Sequence, residues 1–227
     1  MKRLLVTALF LACVAAGCSK TPMRPVVPPA HAAVATTPVG AVQALGLACE
    51  ARDTTAYRAL FTVDYVFRLD PFDPSFYEYP GSELTRADEL ILAAHMFHLG
   101  NHTVAAASRI EVAWLDSLIE SPDDRPGKTS PYHAMISTRG RILADLGDAI
   151  FDASDPQVFY LVRGDSALVP PGLGLAADST RWFIERWEDY SLAPPAAWER
   201  TRDTRPMQTT PGGRKLWGSL KKLYLPD

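Results

Sequence analysis

The chain has 227 residues, with 23 Lys and Arg against 26 Asp and Glu, a formal net charge of −3. Hydrophobic residues make up 47 % of it, which excludes a disordered chain and provides for one core of moderate size. The charge is nearly balanced and shows no cationic stripe, so nucleic acid is not an expected partner.

At the start, Lys2 and Arg3 precede a mainly apolar run, Leu4 to Ala16, which ends at Gly17-Cys18-Ser19. A cationic head with about thirteen apolar residues is the pattern of an export signal and is too short to span a bilayer stably. The stretch Ala15-Ala16-Gly17-Cys18 resembles the lipobox of bacterial lipoproteins. That resemblance implies removal of residues 1–17, a diacylglyceryl thioether on Cys18 and an acylated amino group. Ser19 is not the Asp that tends to retain Gram-negative lipoproteins at the inner membrane, so the implied location is the cell envelope, at the outer membrane facing the periplasm. Loss of Lys2 and Arg3 leaves 21 basic against 26 acidic residues, a charge of −5. Cys13 leaves with the signal and Cys18 is lipidated, so Cys49 stands alone. No internal disulfide can form, and stability has to come from the core. Cys49 itself lies in an apolar helical pattern, as a small buried hydrophobe does.

Residues 18–38 are rich in Pro, Ala and Val, with Pro22, Pro25, Pro28, Pro29 and Pro38. Prolines at this density favour an extended spacer of about 3.1 Å per residue, a tether that could reach roughly 60 Å. The folded body is expected over 39–192. Pro38 can start a helix that runs through Ala41 to Ala51, and Asp53 caps a second over Thr54 to Leu60. Asp64 to Leu69 alternates as a strand. Thr85 caps a third helix, with Asp88 and Glu89 in its first turn, which continues to Leu99 and stops at Gly100-Asn101.

Strands follow: Arg109 to Ile119, a long one over Tyr132 to Ile150 with Gly140 and Gly147 as bends, Gln157 to Arg163, and Thr180 to Tyr190. In the last, alternation separates Trp182 and Ile184 from Phe183 and Trp187. Helices first and antiparallel strands after predict an α+β fold, three N-terminal helices packed on a strongly curved antiparallel sheet.

The segments Ala51-Arg52-Asp53, Tyr57 and Asp64-Tyr65-Val66-Phe67, with the closing Trp182-Phe183-Ile184-Glu185-Arg186-Trp187-Glu188-Asp189, resemble the nuclear transport factor 2-like cone fold, also called SnoaL-like, over about residues 39–192. A lipocalin-like barrel is the competing fold and suits the helical first half poorly. The resemblance implies a sheet wrapped around a pocket roofed by helices. Its members include ketosteroid isomerases, polyketide cyclases and dehydratases, and others that bind ligands without chemistry or only dimerise. Tyr65, Phe67, His95, His98, Trp114, Trp182 and Ile184 are the expected pocket lining.

His95 and His98 lie three apart on one helix, and His98 is in line with Ala87, Ile91 and Ala94, the stripe expected to meet the sheet. With Asp64 they are conceivable zinc ligands, but the spacing lacks the i, i+4 pattern of metalloprotease helices, and no metal is expected. As acid–base candidates, Asp64 and His98 are the pair with suitable chemistry. Asp64 as a turn cap and Tyr65 as a core side chain are the structural alternative. No dinucleotide fingerprint, phosphate loop or nucleophile elbow is present, so no cofactor is expected. Phe72, Phe76, Tyr77 and Tyr79 crowd the segment 71–81 and either cap the pocket or pack on the sheet.

Residues 193–227 form a basic extension of charge +4 on a body of −9. Lys215 to Tyr224 reads as a short amphipathic helix docked by Trp217, Leu220 and Leu223 with its basic residues in water. The expected whole is a membrane-anchored envelope lipoprotein that binds a small apolar ligand or a protein partner in the pocket without catalysis. The alternatives are a cofactor-free isomerase, cyclase or dehydratase using Asp64 and His98, and a structural module that forms a homodimer.

Overall fold

The computed structural model describes residues 35–68, 83–128, 131–164, 180–190 and 217–224. The signal, Cys18, most of the tether and the aromatic segment 71–81 lie outside the described residues. The chain is α+β, with a curved sheet that carries its helices on the concave face.

Helix α1 (Pro38–Ala51) starts on proline at its first turn, with Thr37 accepting the Gly40 N–H at 2.9 Å. Ala35 is buried, and its carbonyl accepts the Trp182 N–H at 2.8 Å, so the stretch read as tether joins the body at residues 35–38. Asp53 caps α2 (Thr54–Arg58) by accepting the Thr55 and Ala56 N–H groups. Strand β1 (Phe61–Arg68) and the three-residue β2 (Glu83–Thr85) come next. Thr85 and Asp88 form a capping box on α3 (Arg86–Ala94), which passes into a π-helical turn, His95–Leu99. Gly100 ends that turn at φ 64°, with backbone atoms 2.8 Å from where a Cβ would stand.

The remaining strands are β3 (Arg109–Trp114), β4 (Ile119–Pro122), β5 (His133–Asp145), β6 (Ile150–Arg163) and β7 (Trp182–Asp189), followed by helix α4 (Trp217–Lys222). The sheet order is β2-β1-β7-β6-β5-β3, with β4 also on β5. Every pairing is antiparallel except β1 with β7, which is parallel, so the expectation of a wholly antiparallel sheet is corrected.

The expected strand over Tyr132 to Ile150 is the first arm of a long hairpin. The chain turns at 146–149, where Gly147 adopts φ 93°, and returns as β6. Gly140 is no bend either, since the β5–β6 register runs unbroken past it. A Cβ there would stand 2.8 Å from the Gln157 side-chain oxygen, so the glycine makes room for the side chain on the facing strand.

Strand β7 departs from alternation. Tyr160 pairs with Arg186 and Leu161 with Ile184, which makes Glu185 the extra residue of a bulge. The bulge puts Trp182, Ile184 and Trp187 together in the core, where simple alternation separates them. Glu185 turns outward and takes Arg125 at 2.8 Å and Lys128 at 2.5 Å.

Candidate functional site

Cross-strand register fixes what the concave face presents. One row runs Phe67, Trp187, Phe159, Ile136, and the next runs Asp189, Gln157, Thr138, with Asp155 beside it opposite Gly140. The first row is apolar and packed ring against ring: Phe67 meets Trp187 edge-on at 5.3 Å, and Phe159 lies tilted 5.1 Å from Trp187. The second is polar yet buried, with Gln157 and Thr138 at 0 % exposure. A buried polar row on the core parity demands partners.

Helix α4 supplies them for the two aspartates, and the Thr138 hydroxyl donates to the Asp116 carbonyl at 3.1 Å. Asp155 accepts the Trp217 N–H at 2.9 Å and Asp189 the Gly218 N–H at 2.7 Å. Two carboxylates therefore hold the positive end of the short helix against the sheet. The Trp217 ring packs 5.0 Å from Trp187. Past the helix, Tyr224 donates its hydroxyl to the Ala105 carbonyl at 2.7 Å, and Asn101 donates to the Leu223 carbonyl at 2.6 Å.

At the centre stands Glu89 of α3, wholly buried. Lys221 of α4 donates to its Oε2 at 2.6 Å, Tyr57 to its Oε1 at 2.5 Å, and Tyr65 to Oε2 at 3.4 Å. The Lys221 ammonium also lies 3.5 Å from the centre of the Phe67 ring and 4.0 Å from that of Trp187. One cation is thus enclosed by a carboxylate and two aromatic faces. Burial lowers the Lys221 ammonium below the ordinary lysine value, against the attraction of Glu89. Burial first and Glu89 second push the Tyr57 and Tyr65 phenols well up. Burial likewise raises the Cys49 thiol, which leaves it an inert core side chain.

In the C-terminal helix segment Trp217 and Leu220 are buried, whereas Leu223, also expected as an anchor, is 36 % exposed. The expectation that its basic residues all face water fails at Lys221, which is 1 % exposed. Glu89 is the reason, because a buried carboxylate without a cation costs far more than burying the lysine beside it.

Of the expected lining, Tyr65 and Phe67 belong to this site. Trp182 and Ile184 lie in the core, and Trp114 is half-buried with its ring 5.9 Å from Phe159. His95 is half-buried, with its Nδ1 3.2 Å from the Tyr224 carbonyl. His98 is exposed, and it lines a groove of about 340 Å³ with Thr54, Arg58, Leu90 and Leu99. The stripe Ala87-Ile91 is exposed as well; the face of α3 and the π-turn that meets the sheet is Glu89, Leu92, Ala93, Met96 and Phe97. Asp64 is exposed on β1, on the parity opposite Tyr65. Asp64 and His98 therefore both lie off the concave recess. A second hollow of about 650 Å³ opens beside β3, lined by Glu50, Arg52, Arg109, Glu111 and Arg141. Among the described residues no group of three His, Cys, Asp or Glu is placed to hold a metal ion.

Neither a family model nor a curated protein sequence matches the chain. Solved structures similar to it include nuclear transport factor 2-like proteins. One is a superfamily member from Salmonella enterica serovar Typhimurium, 11 % identical, with a TM-score of 0.44 over 71 % of this chain and 92 % of that one. Another is ActVI-ORFA from Streptomyces coelicolor, 17 % identical, with a TM-score of 0.42 over 66 % and 91 %. A third, from Novosphingobium aromaticivorans, has a cystatin-like fold, 12 % identity and a TM-score of 0.40 over 69 % and 80 %. At these values the likeness assigns no activity and no residue role.

Proposed function

We propose that the protein is a lipid-anchored envelope protein that binds a ligand in its concave recess and does not catalyse a reaction. The observation that carries this reading is the engagement of the three inner carboxylates. Glu89 holds Lys221, while Asp155 and Asp189 hold the first N–H groups of α4. A carboxylate with two phenols has the parts of an acid–base site, but the carboxylate is already paired with an ammonium at 2.6 Å. The anchor rests on the amino-terminal sequence, and the signal over 1–17 and the tether from Cys18 go with it, the tether ending where Ala35 joins the body.

Two measurements test the two halves. Metabolic labelling with a palmitate analogue should mark the wild type and leave Cys18→Ala unlabelled; equal labelling of both rejects the anchor. Wild-type protein should show no turnover of enolisable ketones or hydroxylated polyketide mimics that depends on Glu89. A rate that Glu89→Gln lowers by about 10²–10⁴-fold, the contribution of a positioned base, would overturn the binding reading.

A further inference from the structure

We infer that the recess bounded by Glu89, Tyr57, Tyr65, Phe67 and Trp187 is a binding site for a small primary alkylammonium ion, and that Lys221 is its tethered occupant. The inference rests on the binding reading above and names its ligand class.

Each wall selects one feature of such a ligand. Glu89 supplies the charge at 2.6 Å, and its other oxygen is held by the Tyr57 hydroxyl at 2.5 Å, which fixes the carboxylate for a single cation. Phe67 and Trp187 offer their ring faces to the ammonium at 3.5 and 4.0 Å, an arrangement that favours a cation over any neutral group of the same shape. The rest of the wall is apolar, with Phe159 tilted against Trp187 and Cys49 buried nearby, so it suits an alkyl stem. Exchanging one ammonium for another leaves Glu89 neutralised throughout, so the large cost of an unpaired buried carboxylate never arises.

The chain's own segment does not exhaust the polar capacity of the concave face. Gln157 is wholly buried in the row that holds α4, and neither its amide nitrogen nor its amide oxygen has a hydrogen-bond partner.

The test removes the tethered ammonium and offers it back. Lys221→Ala in the full chain deletes the fragment that n-propylammonium replaces atom for atom. Its Tm should rise by about 3–6 °C at ten times the dissociation constant, beyond the effect of sodium chloride at equal ionic strength. Neutral n-propanol should not match it, and Lys221→Ala combined with Glu89→Gln should lose the gain. Propanol as effective as the amine, or a gain that survives without Glu89, would overturn the inference. If Lys221→Ala does not fold alone, refolding with propylammonium but not with propanol supports the site, and refolding with neither counts against it. An independent check uses wild-type protein, where ring currents from Phe67 and Trp187 should shift the Lys221 side-chain protons upfield. Ordinary lysine shifts would remove the cage. Failed rescue without Glu89-dependent turnover rejects the alkylammonium site alone, whereas turnover rejects the binding reading whatever the rescue shows.

Discussion

Tyr57 shows how much a single side chain in the recess controls. Its phenol is wholly buried and donates to Glu89, so the folded protein keeps the proton well above the pH at which an unfolded tyrosine releases it. The stabilisation is fully present below the unfolded value of about 10 and is lost as the pH climbs through the raised folded value. Tyr65 and Cys49 act in the same sense, Cys49 from nearer pH 9. Lys221 has the opposite sign: its folded value is lowered, so its cost is present below that value and is relieved towards the unfolded 10.5. Stability should therefore fall with pH above 10, and Tyr57→Phe should flatten that fall by one proton, about 1.4 kcal/mol per pH unit. Urea unfolding from pH 8 to 11 checks this, and parallel curves for wild type and variant would contradict it. Little of this was legible beforehand. Glu89 follows a capping threonine by four residues, which marks a solvated acid favouring the helix start. Its burial depends on a lysine 132 positions away, and no local pattern carries that information.

At the scale of elements, the helix starts were legible because their signals are local. Thr37-Pro38, Asp53 and Thr85 cap where such residues cap. The strands were legible as apolar alternation and misread wherever pairing decides. The turn at 146–149 hides inside a stretch that alternates on both sides of it. Strand β2 has three residues and exists through its pairing with β1. The bulge at Glu185 reverses the faces assigned to Trp187, because register shifts come from the partner strands and not from the strand's own residues. The face of α3 departs from the apolar pattern for a related reason. Its inward stripe contains a charged residue, so apolar periodicity selected Ile91 and His98 in place of Glu89 and Phe97.

Across the whole molecule, the last described helix completes the first ones. The core joins α1, α2, α3, the sheet and Trp217, Leu220 and Tyr224 of the C-terminal segment in one cluster, so the basic extension is part of the fold at its end. The curved α+β body was foreseen from element order and from the resemblance. Of the residues around the recess, apolar patterning picks out Tyr65 and Phe67 and passes over Glu89, Asp155, Gln157, Asp189 and Lys221, all polar residues that sequence patterns assign to water. Lys221 fills the recess by pairing with Glu89, 132 positions away in the chain. A double-mutant cycle of Lys221→Met and Glu89→Gln, followed by urea unfolding, measures that pairing. Each single change should cost about 3–5 kcal/mol by stranding a buried partner. The double variant should cost less than the sum by about 2 kcal/mol or more, the coupling of residues in direct contact; additivity within about 0.5 kcal/mol would contradict the pairing.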